Sequence, residues 1–234
     1  MRKFALPIIL GCMFFLQACV QTDEGENNNM MKEGMDKMQE QLFLKTEKKD
    51  AEAVSKLLKE GVDINAKDNQ GRTALMIATY NNDQTTAKVL IDAGADVNIQ
   101  DNMKNTPFLY AGAEGYLEIL KLTIDAGADP TITNRYGGTA LIPASEHGYV
   151  DVIQELLTRT EIDVNHVNNL GWTALMEAII LNDGDKTQQQ VVQLLIDHGA
   201  DVNVPDKDGV NPLQHAKKHG FKEIEEILIE AGAS

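Results

Sequence analysis

Cysteine is nearly absent from this chain. Of 234 residues only Cys12 and Cys19 are cysteine. Residues 20–234 therefore contain no internal disulfide, no thiolate zinc site and no cysteine nucleophile. Long apolar runs are missing too. The longest, Phe4 to Leu16, is 13 residues, short of the roughly 20 that a membrane-spanning helix needs. Aromatics make up 5% of the chain, with one tryptophan, and basic residues are outnumbered 21 to 36 by acids, a formal net charge of −15. That balance argues against a sequence-independent nucleic-acid binder and against general adhesion to anionic lipid, both of which need a net basic surface. It suits a soluble surface that selects basic partner patches.

The usual signatures of catalysis are also missing. His215 and His219 stand four apart, a spacing metals can use, but no glutamate follows His215 to complete a zinc-protease motif. Asn182-Asp183-Gly184-Asp185 lacks the 12-residue frame and closing glutamate of a calcium loop. No nucleophile elbow and no glycine-rich phosphate loop occurs. The expectation is a protein without catalytic residues, metal or cofactor.

What the chain has is repetition. Gly71 to Gly94 reads GRTALMIATYNNDQTTAKVLIDAG. Its threonine recurs at Thr106, Thr139 and Thr173, with Asn211 in fifth place, at spacings of 33, 33, 34 and 38. The closing glycine recurs at Gly61, Gly94, Gly127, Gly199 and Gly232. Within each unit an Asp or Asn opens a four-residue turn ending in Gly71, Lys104, Gly137, Gly171 or Gly209. Lys104 departs from glycine, so its turn changes type or bears strain. The Thr or Asn that follows is the expected helix N-cap. Pro107 and Pro212 take the first helical position, where proline loses no hydrogen bond, whereas Pro143 removes one bond inside its helix.

A period near 33 with a turn, two helices and a T-P-L-like start resembles the ankyrin repeat, over about residues 40 to 234. The resemblance implies an all-α solenoid of stacked helical pairs. It divides the chain into an N-terminal capping repeat at 38–66, repeats at 67–99, 100–132, 133–166 and 167–204, and a C-terminal capping repeat at 205–234. The fourth repeat carries an inter-helix insertion at 182–189. The family's T-P-L-H histidine is replaced by Met76, Leu109, Ile142, Met176 and Gln214, which weakens the family's cap network.

Ankyrin proteins bind protein partners through turn tips and the exposed side of the first helix. The resemblance thus implies a docking face carrying Arg72, Tyr80, Met103, Asn105, Arg135, Tyr136, His147, Leu170, Trp172 and Ile180. Trp172, the one tryptophan, is expected at a turn tip as an interface anchor. The resemblance of 166–181 to bacterial ankyrin proteins, some associated with catalases, adds two variants: an accessory factor for an oxidative-stress enzyme, and an inhibitor or immunity protein against an envelope enzyme or toxin. The chain is expected to act as a monomer.

The first 37 residues read differently. Met1-Arg2-Lys3 precedes the 13-residue apolar run, then Leu16-Gln17-Ala18-Cys19. This resembles the lipobox of bacterial lipoproteins, and implies a signal peptide at 1–18 and a mature start at Cys19 bearing diacylglyceryl and palmitate-type chains. More than one acyl chain gives stable anchoring. A plain secretory signal fits less well, because Leu16 stands where a small residue is expected. Val20 in place of aspartate points to the outer membrane, facing the periplasm, where the host has two membranes. Residues 19–37 are expected to form a tether, with 21–29 (QTDEGENNN) disordered because they lack apolar anchors. Met31, Met35, Met38 and Leu42 follow at helical spacing, a face expected to pack on the first repeat.

Overall fold

The computed structural model describes residues 20–234. The expected cleavage site and Cys19 lie outside them. Twelve α-helices follow one another among the described residues, with no strand: α1 Val20–Glu47, α2 Ala51–Lys59, α3 Ala74–Tyr80, α4 Gln84–Asp92, α5 Pro107–Ala113, α6 Leu117–Asp125, α7 Leu141–Glu146, α8 Val150–Arg159, α9 Ala174–Ile180, α10 Lys186–Asp197, α11 Pro212–His219 and α12 Lys222–Glu230. The odd-numbered helices from α1 to α11 stack as one layer and the even-numbered ones as a second. Each pair packs on the pair before and after it, which is the expected solenoid.

The two layers differ because their sequences do. In α3 every residue from Ala74 to Thr79 is buried, since α1, α4 and α5 pack against it. A helix apolar all round must be enclosed. In α8 only Val152, Ile153 and Leu156 are buried, a single stripe facing inward. One core runs the length of the stack through Leu42, Leu75, Phe108, Leu141, Leu175 and Leu213. Full burial of each such side chain contributes roughly 1.5–3 kcal/mol. Backbones approach closely at Gly112, where an added Cβ would stand 2.8 Å from the Ala140 Cβ. The family's histidine positions are filled by buried Met76, Leu109, Ile142 and Met176, so packing occupies the space of a polar network.

Asparagine side chains tie one repeat to the next. Asn65 Oδ1 accepts from the Asp96 amide at 2.9 Å, Asn98 Oδ1 from Asp129 at 2.8 Å and Asn165 Oδ1 from Asp201 at 2.7 Å. Repeat two has Thr131 in that register. There the link to repeat three is made elsewhere: Gln100 Nε2 donates to the Thr133 carbonyl at 2.9 Å, and Arg159 pairs with Asp125 at 2.5 Å.

Three local expectations meet the structure with different outcomes. Thr73, Thr106, Thr173 and Asn211 cap their helices through the side chain. Thr139 does not: α7 starts one residue later, from Ala140, with no side-chain cap, and Thr139 Oγ1 is buried without a partner. The cause is Pro143, which has no N–H to give the Thr139 carbonyl, so the first turn closes from Ala144 to Ala140. Lys104 takes the strained alternative, with φ of 60°, and closes the same turn as its glycine counterparts through its amide on the Asp101 carbonyl at 3.0 Å. Residues 21–29, expected to be disordered, belong to α1. Leu42 is buried against the stack and supplies a nucleus, from which each added residue gains a hydrogen bond. No proline interrupts the segment. On the methionine face Leu42 packs fully, Met38 is half-buried and Met35 is exposed, so only the C-terminal part reaches the first repeat.

Candidate functional site

The turns before each odd-numbered helix form a row of tips along one edge of the stack. The Asp or Asn that opens each turn holds it: Asp68 Oδ1 accepts from the amides of Gln70 and Arg72 at 2.8 and 2.9 Å, and Asn168 Oδ1 from Leu170 and Trp172 at 2.9 and 3.1 Å. Adjacent tips are bonded, the Asn102 amide to the Gln70 carbonyl and the Asn169 amide to the Tyr136 carbonyl, each at 3.0 Å. The third turn position is thereby pushed outward. It holds Gln70, Met103, Tyr136, Leu170 and Asp208. The three central side chains are exposed by 42%, 59% and 57%, a row of large apolar groups at neighbouring positions. Arg135 lies over the Tyr136 ring, 4.6 Å from its centre, and donates to Met103 Sδ at 3.4 Å, fixing one tip against the next.

The ten residues expected to form the docking face divide into two groups. Met103, Arg135, Tyr136, His147 and Leu170 are exposed. Arg72, Tyr80, Asn105, Trp172 and Ile180 are half-buried, and the first three are engaged within the protein. Arg72 pairs with Asp68 at 2.7 Å and Glu47 at 3.3 Å. Tyr80 donates its hydroxyl to Asp101 Oδ2 at 2.6 Å and accepts from Asn105 Nδ2 at 3.3 Å. Its ring meets Tyr110 edge-on, with centres 4.3 Å apart. Burial pushes the Tyr80 hydroxyl up to about 12, with Asn105 opposing and the Asp101 carboxylate adding. It stays a donor at neutral pH. Trp172 has its backbone held by the Asn168 turn, with its carbonyl accepting from the Asn168 amide at 3.0 Å.

Two groups of consequence were not among the expected ones. Tyr110 joins Tyr80 and Tyr116 in an edge-to-face series on α3 to α6. Glu177 is an acid only 6% exposed, in the register of Ile77, Tyr110 and Pro143. Asn168 Nδ2 donates to its Oε1 at 2.7 Å. Burial first, and then the charge of Glu146, push its carboxyl up to about 7, with the Asn168 bond opposing. The signal available in the sequence was an acid at an inward position of the repeat. Among the described residues no group of three or more His, Cys, Asp or Glu is arranged to hold a metal ion, and no helix is long and apolar enough to cross a membrane.

Antiparallel helix pairs stacked at a near-constant period, with a row of bonded turn tips along one edge, define a helical-repeat solenoid, a class that offers an extended surface. Comparison with known families is specific. A family model for ankyrin repeats in three copies matches residues 22–101, 42–134 and 108–206, and one for many copies matches 185–229. The chain belongs to the ankyrin-repeat family, whose repeats are as a class protein-interaction modules. It is similar to the ankyrin repeat protein YahD of Escherichia coli, at 54% identity over 81 residues, 35% of this chain and 40% of YahD. A crystal structure of an ankyrin repeat domain from Acinetobacter baumannii has a TM-score of 0.81 and 51% identity over 82% of this chain and 98% of that one. The ankyrin repeat protein EF0377 has a TM-score of 0.78 and 39% identity over 81% and 96%.

Proposed function

We propose that this chain is a non-catalytic, monomeric scaffold that docks a protein partner on its turn tips and concave face while held at a bacterial membrane by lipid on Cys19. The single observation that supports docking is the row Met103, Tyr136 and Leu170, three large apolar side chains kept exposed at successive tips. An exposed apolar group costs solubility, and a set of them at one register, rimmed by polar turns, has the composition of an interface centre. Trp172 borders the same tips as a half-buried aromatic, able to anchor a partner without leaving its turn.

The test is a crosslinking pull-down from intact cells. Tyr136→Ala, Leu170→Ser and Trp172→Ala are each expected to weaken capture of one specific partner at least tenfold. Loss of a central anchor is worth about 2 kcal/mol or more, and tenfold needs about 1.4 kcal/mol. The melting temperatures of the first two should move by less than about 2 °C, because neither side chain packs in the core. Unchanged capture by all three would end the docking reading.

The anchor is supported by sequence alone, through the basic start, the short apolar run and Leu16-Gln17-Ala18-Cys19. Radiolabelled palmitate fed to cells should label the mature chain, and Cys19→Ser should abolish both the label and retention in the membrane fraction. Label that persists in the Cys19→Ser variant, or none in the native chain, removes the anchor and leaves the scaffold untouched.

A further inference from the structure

One buried acid on the concave side has no cation of its own. Glu177 on α9 is 6% exposed. Asn168 Nδ2 donates to its Oε1 at 2.7 Å, which fixes the direction of the carboxyl beside the fourth turn. The other oxygen, Oε2, accepts from no donor among the described residues. It is not enclosed either. The enclosed unpaired side-chain atoms among the described residues are Gln39 Nε2, Asp83 Oδ2, Thr86 Oγ1, Thr139 Oγ1 and Gln188 Oε1. Glu177 Oε2 is therefore the accessible end of an otherwise buried side chain, in the register of the half-buried Tyr110 and Pro143.

The other repeats show what this one lacks. The turn openers Asp68, Asp101 and Asp206 are acids, and each has an internal donor on its Oδ2: Arg72 at 2.8 Å, the Tyr80 hydroxyl at 2.6 Å and His215 at 2.8 Å. His215 stands in the register of Glu177 itself. Repeat four reverses the roles, with a neutral amide donating and the acid accepting. An amide supplies hydrogen bonds but no countercharge. The helices packed on α9 offer none: Lys186 on α10 and Lys217, Lys218 and His219 on α11 do not pair with Glu177, and His215 is taken up by Asp206. Glu146 on α7 adds a second negative charge. Neither carboxylate has an ion-pair partner among the described residues. A buried charge without a partner is costly, and such groups concentrate where a protein works on something else.

We propose that Glu177 and Glu146 together receive an arginine side chain of the protein partner, inserted beside the Leu170 tip. Two carboxylates on adjacent helices suit a planar guanidinium. Its five N–H donors diverge, and its weaker hydration makes entry into a half-buried site less costly than for an ammonium. Ile180 and Leu181 follow Glu177 by three and four residues on the same helix face. Leu181 is 47% exposed, a ledge for the aliphatic stem. One asparagine ties the site together: Asn168 holds the Leu170 and Trp172 amides through Oδ1 and Glu177 through Nδ2. A partner segment with an apolar residue for the tip and an arginine near it meets both parts at once. This inference rests on the docking reading of the preceding section.

The test is an NMR titration of the carbon-13-labelled protein. The side-chain carboxyl carbon of Glu177 is followed through neutral pH, alone and with N-acetyl-L-arginine amide, N-acetyl-L-lysine amide, the uncharged isostere N-acetyl-L-citrulline amide, or sodium chloride at matched ionic strength. A cation seated on a carboxylate favours its charged form. The arginine compound is expected to lower the Glu177 midpoint saturably, by roughly half a unit or more, which is about a threefold preference for the charged form. Lysine should lower it less, citrulline should leave it in place, and salt should give only a small shift that does not saturate. Glu177→Gln keeps the bond to Asn168, so it stays folded, and it should weaken arginine binding roughly tenfold or more as read from the Asn168 side-chain amide. Glu146→Gln should weaken it less. Equal shifts with lysine, citrulline or salt, or a Glu177→Gln variant that binds as the native chain does, would each overturn the proposal. Loss of partner capture in the Tyr136 and Leu170 variants alongside a negative titration would sink the arginine site and spare the docking surface. Unchanged capture in those variants with a positive titration would end the docking reading, and with it the partner as the source of the arginine.

Discussion

Phe108→Ala is expected to cost the stack about 3–5 kcal/mol and to lower its melting temperature by roughly 10 °C or more. Phe108 is the largest of the fully enclosed side chains. It stands in the register held by Leu75, Leu141, Leu175 and Leu213 in the other repeats, on α5, which packs on α3, α6 and α7. Its removal loses the transfer free energy of a benzyl group and leaves a hole that three helices cannot all close on. Position in the stack makes the loss larger than it looks. In a solenoid each repeat is stabilised by its neighbours, so weakening repeat two separates the N-terminal cap and repeat one from the rest. Leu228 on α12 is equally buried but has a repeat on one side only. Leu228→Ala should fray the last helix pair and leave the others. Urea unfolding followed by helical ellipticity distinguishes them. Phe108→Ala should lower the midpoint for the whole chain or split the transition, whereas Leu228→Ala should add a small early loss of helix. A Phe108→Ala midpoint within error of the native one would mean the core is not continuous through α5.

Much of this architecture is legible in the sequence, for a physical reason. Spacing is a property of the chain, and a period of 33 kept by both a cap and a closing glycine leaves few alternatives. Caps were legible where the cap and the amide that donates to it are three residues apart, as at Thr73 and Met76. They failed at Thr139 because a lost N–H at Pro143 shifts the whole first turn, not one bond. The helix over 21–29 was hidden because its composition has no apolar anchor of its own; the anchor, Leu42, lies further along the same helix. At the site, the tips Met103, Tyr136 and Leu170 were among the positions that the family resemblance implied, and they are exposed. The engagement of Arg72, Tyr80 and Asn105 did not, because their partners Glu47, Asp101 and Tyr80 come from neighbouring repeats 21 to 25 residues away. Side-chain bonds between repeats leave no mark within either repeat. Glu177 was legible only as an oddity of register.

That oddity gives the second large effect. Glu177→Gln is expected to stabilise the protein at pH 8 and to do almost nothing at pH 4. The folded carboxyl titrates at about 7 against an ordinary value of 4.5, raised by burial and by Glu146. Below about pH 4.5 both folded and unfolded states hold the proton, and the residue is neutral to stability. As pH rises from 4.5 to 7 the unfolded chain releases its proton while the folded chain keeps it, so stability falls. Above pH 7 the full penalty is present. A shift from 4.5 to about 7 corresponds to roughly 3 kcal/mol. The helices packed against α9 carry Glu146 on α7, Lys186 and Asp197 on α10, and His215, Lys217, Lys218 and His219 on α11; of these only the Glu146 charge raises the Glu177 carboxyl, and His215 Nε2 is already paired to Asp206 at 2.8 Å. Glutamine keeps the acceptor for Asn168 and removes the charge. Its melting temperature should exceed the native one by roughly 5 °C at pH 8, with the gap closing to within about 1 °C at pH 4. Glu146→Gln should recover a smaller part of the same gap, because it removes the second cause and leaves the first. A gap that is constant across this pH range would mean that Glu177 is ionised and solvated in the fold, and that the concave face of repeat four carries an ordinary surface acid.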